Sequence, residues 1–467
     1  MVGALMVTAF FVATEIAKAA DVTFSGQVRT RYEVNEQHDF LDTSDADDFT
    51  STRVRLNADV NVNDSTSAFI QLQDVRVWGG SNEVATAGTA TPAGTGAGVG
   101  GAVDTDGTVG LHQAYFTLKN FATLPVDLKV GRQEVVLDGH RLFGNTNWAQ
   151  GAVTHDAVRL DHKHDNMSLA YAWITVNEDG VPTGTNIDDR NDREAHLIYG
   201  AYEGLLGGKL SIIYTYINDG CGSGTACDNL ANDLHNIGFR QAGQLYGVDY
   251  RAEYNYQWGD ASSRAAVGAL GTRAYVAGAN VDRDAYMFGV RVGKSFNNVT
   301  MKPSLTVWYD YLSGTSDQDA RDGEMKSFNT LFDTGHKFYG FMDLYGGVGN
   351  GAAIGAGNTG TAGLGLQDVA IKAKISPMPG WTLKADYHWF YTAEGVAGNS
   401  AAGLAGDGSQ DNDLGNELDI TIVNQYNANT NISLGFSNYT TTAAFRDLKG
   451  VTGDGANWAY LMFDVKF

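Results

Sequence analysis

Arginines and lysines recur at every second position along several stretches of this chain, and the chemistry has to be sought there. Arg29 and Arg31 alternate with Val28, Thr30 and Tyr32, and Arg53 and Arg55 alternate with Val54 and Leu56. Arg159 stands between Val158 and Leu160, Arg291 between Val290 and Val292, and Lys372 between Ile371 and Ala373. A β-strand turns alternate side chains to opposite faces, so each stretch has one ionic and one apolar face. Cations collected on one face of a narrow, partly dehydrated passage lower the barrier for anions. Interior charges that pair across strands, leaving little net field, are the plainer alternative.

Catalytic constellations are missing. No G-x-S-x-G and no H-E-x-x-H occurs, so neither a serine-hydrolase elbow nor a zinc protease site is offered. Asp386 and His388 share a strand face, but no serine is evidently paired with them. The run GAGNTG at 355–360 satisfies G-x-G-x-x-G without the strand-to-helix context that makes the motif bind a dinucleotide. An enzyme is not expected, and no cofactor is implied.

Cys221 and Cys227 stand in a Gly-rich stretch, CGSGTAC. Their closeness fits a small disulfide loop in an oxidising compartment, with two unrelated thiols as the alternative. They are too few for a metal site. The acidic run DTSDADD, and Asp317, Asp319, Asp322 and Gly323, resemble calcium loops without the terminal Glu spacing. Solvated acidic loops are the default reading; loop Ca2+ bridging lipopolysaccharide is the alternative.

The elements that position these residues are strands. From Val22 onward the pattern is strand, long connection, strand, short turn. Strands are expected near 22–34, 53–62, 66–78, 109–119, 126–136, 153–163, 167–177, 192–203 and 208–218. Nine more fall near 233–241, 245–258, 282–296, 299–312, 365–375, 381–392, 416–426, 430–440 and 457–467. That makes about eighteen, the even number of a single-chain bacterial barrel. The weakest alternation is in LHNIGFRQA at 233–241. The fold expected is an all-β, transmembrane, antiparallel up-and-down β-barrel with short periplasmic turns and long extracellular loops.

Composition agrees. The chain of 467 residues has 58 Gly and only 6 Pro, which suits strands joined by Gly-rich turns. A net charge of −22 argues against nucleic acid as a partner. Acid concentrates in the connections and base on the polar strand faces. Tyr32, Trp78, Trp173, Trp258, Trp308, Tyr311, Trp389 and Tyr391 lie near the outer strand ends, where an aromatic belt is expected. Phe328, Phe332, Phe338, Tyr339 and Phe341 crowd into the long connection 313–364, poorly placed for water. They are expected either to fold into the mouth and narrow it, or to pack over the barrel rim or a partner protomer. Residues 1–19 read as a signal peptide cut after Ala17-Lys18-Ala19, and 20–467 as the barrel. The segment departs from that pattern in having no basic start and in carrying Glu15.

Several blocks resemble the alginate export family of outer-membrane barrels. They are FTSTRVRLNADVNVNDSTSAFIQLQDVRVWG (49–79), the elements GRQE, HRLFG, NTNW and D-x-V-R-L within 131–160, SFNTLFDTGHKFYGFMDL (327–344), LKADYHWFY (383–391) and NELDITI (416–422). The resemblance implies an outer-membrane channel passing an anionic polysaccharide or small anionic solutes, among outer-membrane lipid and lipopolysaccharide. It also implies a ring of lumen cations with nearby carboxylates, carried over as Arg53, Arg55, Arg132, Arg159, Lys384, Asp386 and Glu417. Alternation adds Arg29, Arg31, Arg291 and Lys372. Continued alternation puts Arg132 on the apolar face, so lumen access there requires a bulge or a place above the membrane. A large periplasmic loop of the alginate exporter has no counterpart here, which favours the alternative of a general or sugar-selective diffusion porin. A non-conducting structural or adhesive barrel is the rival of another class.

Overall fold

The computed structural model describes residues 21–36, 40, 46–79, 109–177, 193–219, 233–262, 280–345, 360–361, 363–396 and 411–467. The signal segment, Cys221 and Cys227, and 355–359 of the Gly-rich motif lie outside the described residues.

Its strands are β1 (Asp21–Glu36), β2 (Asp47–Asn63), β3 (Thr66–Val77), β4 (Gly110–Leu118), β5 (Asp127–Gln133) and β6 (His155–His164). Next come β7 (Met167–Asn177), β8 (Arg193–Leu205), β9 (Gly208–Asp219), β10 (Asp233–Leu245), β11 (Val248–Ser262), β12 (Asn280–Ser295) and β13 (Ser304–Leu312). A two-residue β14 (Glu324–Met325) precedes β15 (Leu366–Ile375), β16 (Trp381–Tyr391), β17 (Asp413–Asn427), β18 (Thr430–Thr441) and β19 (Gly455–Lys466). All but β14 form an eighteen-stranded wall in which sequence neighbours pair antiparallel. β19 returns to β1 from Gln27↔Lys466 to Glu36↔Asn457, so the sheet is closed and has no free edge.

Two-residue turns join β2–β3, β6–β7, β8–β9, β10–β11 and β17–β18. Leu206-Gly207 and Tyr246-Gly247 have positive φ at both positions, the turn hand that matches strand twist. The long connections all leave from the opposite rim. The expected strand set is therefore present. β10 runs on to Leu245 despite its weak pattern, and β13 begins at Ser304 rather than near 299.

Alternation sorts the two faces. Val22, Phe24, Val28, Val54, Leu56, Ile198, Val290, Val292, Leu305 and Val307 are exposed on the outside, Phe24 by 68%. An apolar surface of this extent belongs in lipid. Trp308 departs from expectation. It faces inward, its indole donating to Asp368 at 2.8 Å, and so belongs to no aromatic belt.

Candidate functional site

The lumen is not an open tube. The connection between β5 and β6 (134–154) and the one between β13 and β15 fold into it. They meet where Phe143 bridges Phe332: Gly144 N donates to Phe332 O at 2.8 Å, and Phe332 N to Leu142 O at 2.8 Å. Phe328, Phe332, Phe338 and Tyr339 are buried against inward residues of the wall, among them Trp308, Leu366, Ala370 and Phe390. Of the two placements weighed for these aromatics, the described part of 313–364 has the inward one. A short helix α1 (Ala443–Lys449) seals the outer side with Phe445, and Lys449 Nζ donates to Gly360 O at 2.7 Å.

Arg29, Arg31, Arg53 and Arg55 face inward from β1 and β2, but their donors are turned to the first loop. NTNWAQG (145–151) has no strand partner, and its carbonyls are away from water, so they need donors. Guanidinium supplies five. Arg29 donates to Asn147 O (2.7 Å), Trp148 O (2.9 Å), Ala149 O (3.1 Å) and Gln150 Oε1 (2.9 Å). Arg31 reaches Trp148 O at 2.9 Å and Glu33 at 2.6 Å, and lies 4.3 Å over the Trp148 ring. Arg53 donates to the carbonyls of Asn147, Ala149 and Gln150 at 3.3–3.4 Å. Arg55 is held by Gln73 (2.7 Å) and His112 (2.9 Å). This row is a cradle for the loop.

The facing wall is different. Arg141, from the first loop, is saturated by Glu253 (3.0 Å), Asp310 (2.5 Å) and Tyr339 Oη (2.5 Å). Burial works against its charge, but Asp310, Tyr339 and Glu253 hold it above the ordinary arginine range. Around it stand Arg240, Arg251 and Arg291 from β10, β11 and β12. They share the same acids at longer range: Arg251–Glu253 3.2 Å, Arg291–Asp310 3.7 Å and Arg240–Glu253 3.8 Å. The Nε of each, and one Nη of Arg251 and of Arg291, is buried without a hydrogen-bond partner. Lys337, on the second loop, looks at the same spot. Burial, then Arg251, Arg291 and Arg240, pushes its ammonium below the ordinary lysine value. Buried donors without acceptors are costly. Three arginines thus keep buried nitrogens without a hydrogen-bond partner, beside the exposed Lys337.

The remaining expected residues are scattered. Arg159 faces inward near the short-turn rim, bound to Asp161 at 2.6 Å. Lys372 and Asp386 pair at 2.9 Å, and Lys384 lies exposed one rung below Asp386. Glu417 is fully buried and accepts Phe341 N (2.6 Å) and Met342 N (2.9 Å), hooking the second loop to the wall. Arg132 is a correction. It keeps the outward parity of Val130 and binds Asp156 at 2.7 Å on the outer surface, with no bulge to turn it inward. Two acids of the calcium-like run are engaged, Asp319 with Ser316 and Lys326, and Asp322 with Gln318. Sequence reasoning missed Arg240, because its strand alternates poorly, and Lys337, because it lies on a loop. A basic residue inside the aromatic run HKFYGF (336–341) was the available signal for Lys337.

A model of the alginate export family matches residues 20–458. A search of curated proteins gives no match. Among solved structures, a BenF-like porin from Pseudomonas fluorescens Pf-5 superposes with a TM-score of 0.56 at 11% identity, over 96% of this chain and 98% of that one. Acinetobacter baumannii OccAB3 gives 0.54 at 12% identity, over 96% and 99%. Pseudomonas aeruginosa OccK8 (OprE) gives 0.52 at 10%, over 96% and 98%. At such identities the likeness is one of fold.

Proposed function

The chain belongs to the alginate export family, and from that premise we propose that its outer-membrane channel passes small anionic solutes singly past Arg240, Arg251, Arg291 and Lys337. The observation that carries this reading is the set of unused, buried guanidinium donors on those arginines. An anion arriving there can offer acceptors at hydrogen-bonding distance, where Glu253 and Asp310 reach these arginines only at 3.2–3.8 Å. The inward loops favour small solutes over a polymer. They join at Phe143–Phe332 and fill the middle of the lumen with buried aromatics.

Reversal potentials across a salt gradient test the proposal. The refolded parent is expected to prefer anions, and Arg291→Gln to weaken that preference several-fold. A parent that prefers cations, or an Arg291→Gln channel with unaltered selectivity, would count against it.

A further inference from the structure

Aromatic side chains have no evident business on the water-facing side of a pore's exit, yet two stand there. Phe69 and Tyr115 face inward near the short-turn rim, directly opposite one another across β3 and β4, with ring centroids 5.5 Å apart. They back a recess of about 190 Å³. Asp59 completes their rung on β2. The rung below is wholly polar: Asn61, Ser67, Thr117 and Lys129 follow one another in register. The rung above is closed, because Gln71 and Gln113 spend their amides on Asn57 and on each other at 2.8 and 3.2 Å. The recess thus has an amide ceiling, an aromatic back wall and a polar floor.

Its charges cancel. Asp59 faces Lys129 across the recess, and the neighbouring Arg159 is bound to Asp161 at 2.6 Å. Lys129 Nζ itself lies 4.4 Å over the Tyr115 ring. Asp59 and Asn61 are exposed, and Ser67 and Thr117 half-buried, so this polar rim is open to solvent. An aromatic face has negative charge on its ring and attracts the polarised C–H groups of a flat aliphatic ring. Amide, hydroxyl and carboxylate groups around it match ring hydroxyls. Pockets for drug-sized ligands measure roughly 300–1,000 Å³, so this recess takes one ring and not a chain.

We infer that the recess lined by Phe69, Tyr115, Asp59, Asn61 and Lys129 is a binding subsite for a single uncharged pyranose ring at the periplasmic mouth. It is separate from the arginine cluster and does not rest on the anion reading. Saturation-transfer NMR on the detergent-solubilised barrel, with methyl β-glucoside as the probe, tests it. The parent transfers saturation to the C–H protons on one face of the sugar. Phe69→Leu keeps bulk without an aromatic face and is expected to lose at least five-fold of that transfer, as is Tyr115→Ala. Arg291→Gln retains it, which separates this site from the anion cluster. Heat-modifiable gel mobility establishes that each variant is folded. No transfer in the parent, equal transfer in folded Phe69→Leu, or preferential transfer to benzoate would overturn the inference.

Discussion

Gly340 and Glu417 meet so closely that a β-carbon on the glycine would lie 2.4 Å from a carboxylate oxygen. Gly340 also has φ of +83°, which costs other residues about 1–2 kcal/mol. The loop can therefore present the N–H groups of Phe341 and Met342 to Glu417 only with glycine at this turn. Gly340→Ala is predicted to lift the second loop from the wall, leaving the barrel assembled. Larger single-channel conductance with normal heat-modifiability is the expected result. Unchanged conductance would show that the hook does not hold the loop.

A second prediction concerns the cradle. Arg29→Ala with Arg53→Ala strips donors from the carbonyls of Asn147, Ala149 and Gln150. Each carbonyl left buried and unpaired costs about 1–3 kcal/mol. The loop should leave the lumen, and limited proteolysis from outside should then cut within 145–151. Resistance equal to the parent's would contradict the cradle role.

Acid should seat the loops more firmly. Asp333, just past the Phe143–Phe332 junction, is pushed up to about 7 by burial, with Arg141 opposing. Its folded value lies above the unfolded one near 3.8. The folded loop therefore binds the extra proton, and stability falls as pH rises from about 4 to about 7, then levels off. Asp333→Asn should flatten this dependence and raise the melting temperature at pH 8. Hydrogen exchange in the loop at pH 5 and pH 8 measures it. Greater protection at pH 8 in the parent, relative to the faster intrinsic amide exchange there, would reverse the sign.

The seam gives a fourth. Phe467 exchanges both backbone hydrogen bonds with Gly26, at 2.7 and 3.1 Å, and its ring covers that glycine. Gly26→Leu should slow barrel closure about as much as Phe467→Asp does, read as loss of the compact gel form. Normal closure in both would remove this pairing from the assembly step.

Alternation is what made the wall legible. A strand between lipid and water must separate its faces at every residue, so Val54, Leu56 and Arg53, Arg55 announced both strand and orientation. Trp308 misled because it was read by its place near a strand end, whereas its parity, opposite to Val307, turns it inward to Asp368. The loops were illegible for a related reason. Their carbonyls take donors from residues more than ninety positions away, as Asn147 does from Arg53, and no local pattern records that. For the same reason nothing local showed that Arg29 and Arg53, expected in the lumen, turn donors to a loop there.

The proposed function gives the two basic rows different work, and one comparison tests this most directly. Reversal potential and conductance would be recorded side by side for Arg251→Gln with Arg291→Gln, and for Arg29→Gln with Arg53→Gln. The first pair is predicted to lose anion preference with conductance nearly unchanged. The second is predicted to gain conductance as the loop loosens, with the smaller shift in selectivity. The opposite assignment, selectivity lost through Arg29 and Arg53 and kept without Arg251 and Arg291, would contradict the account.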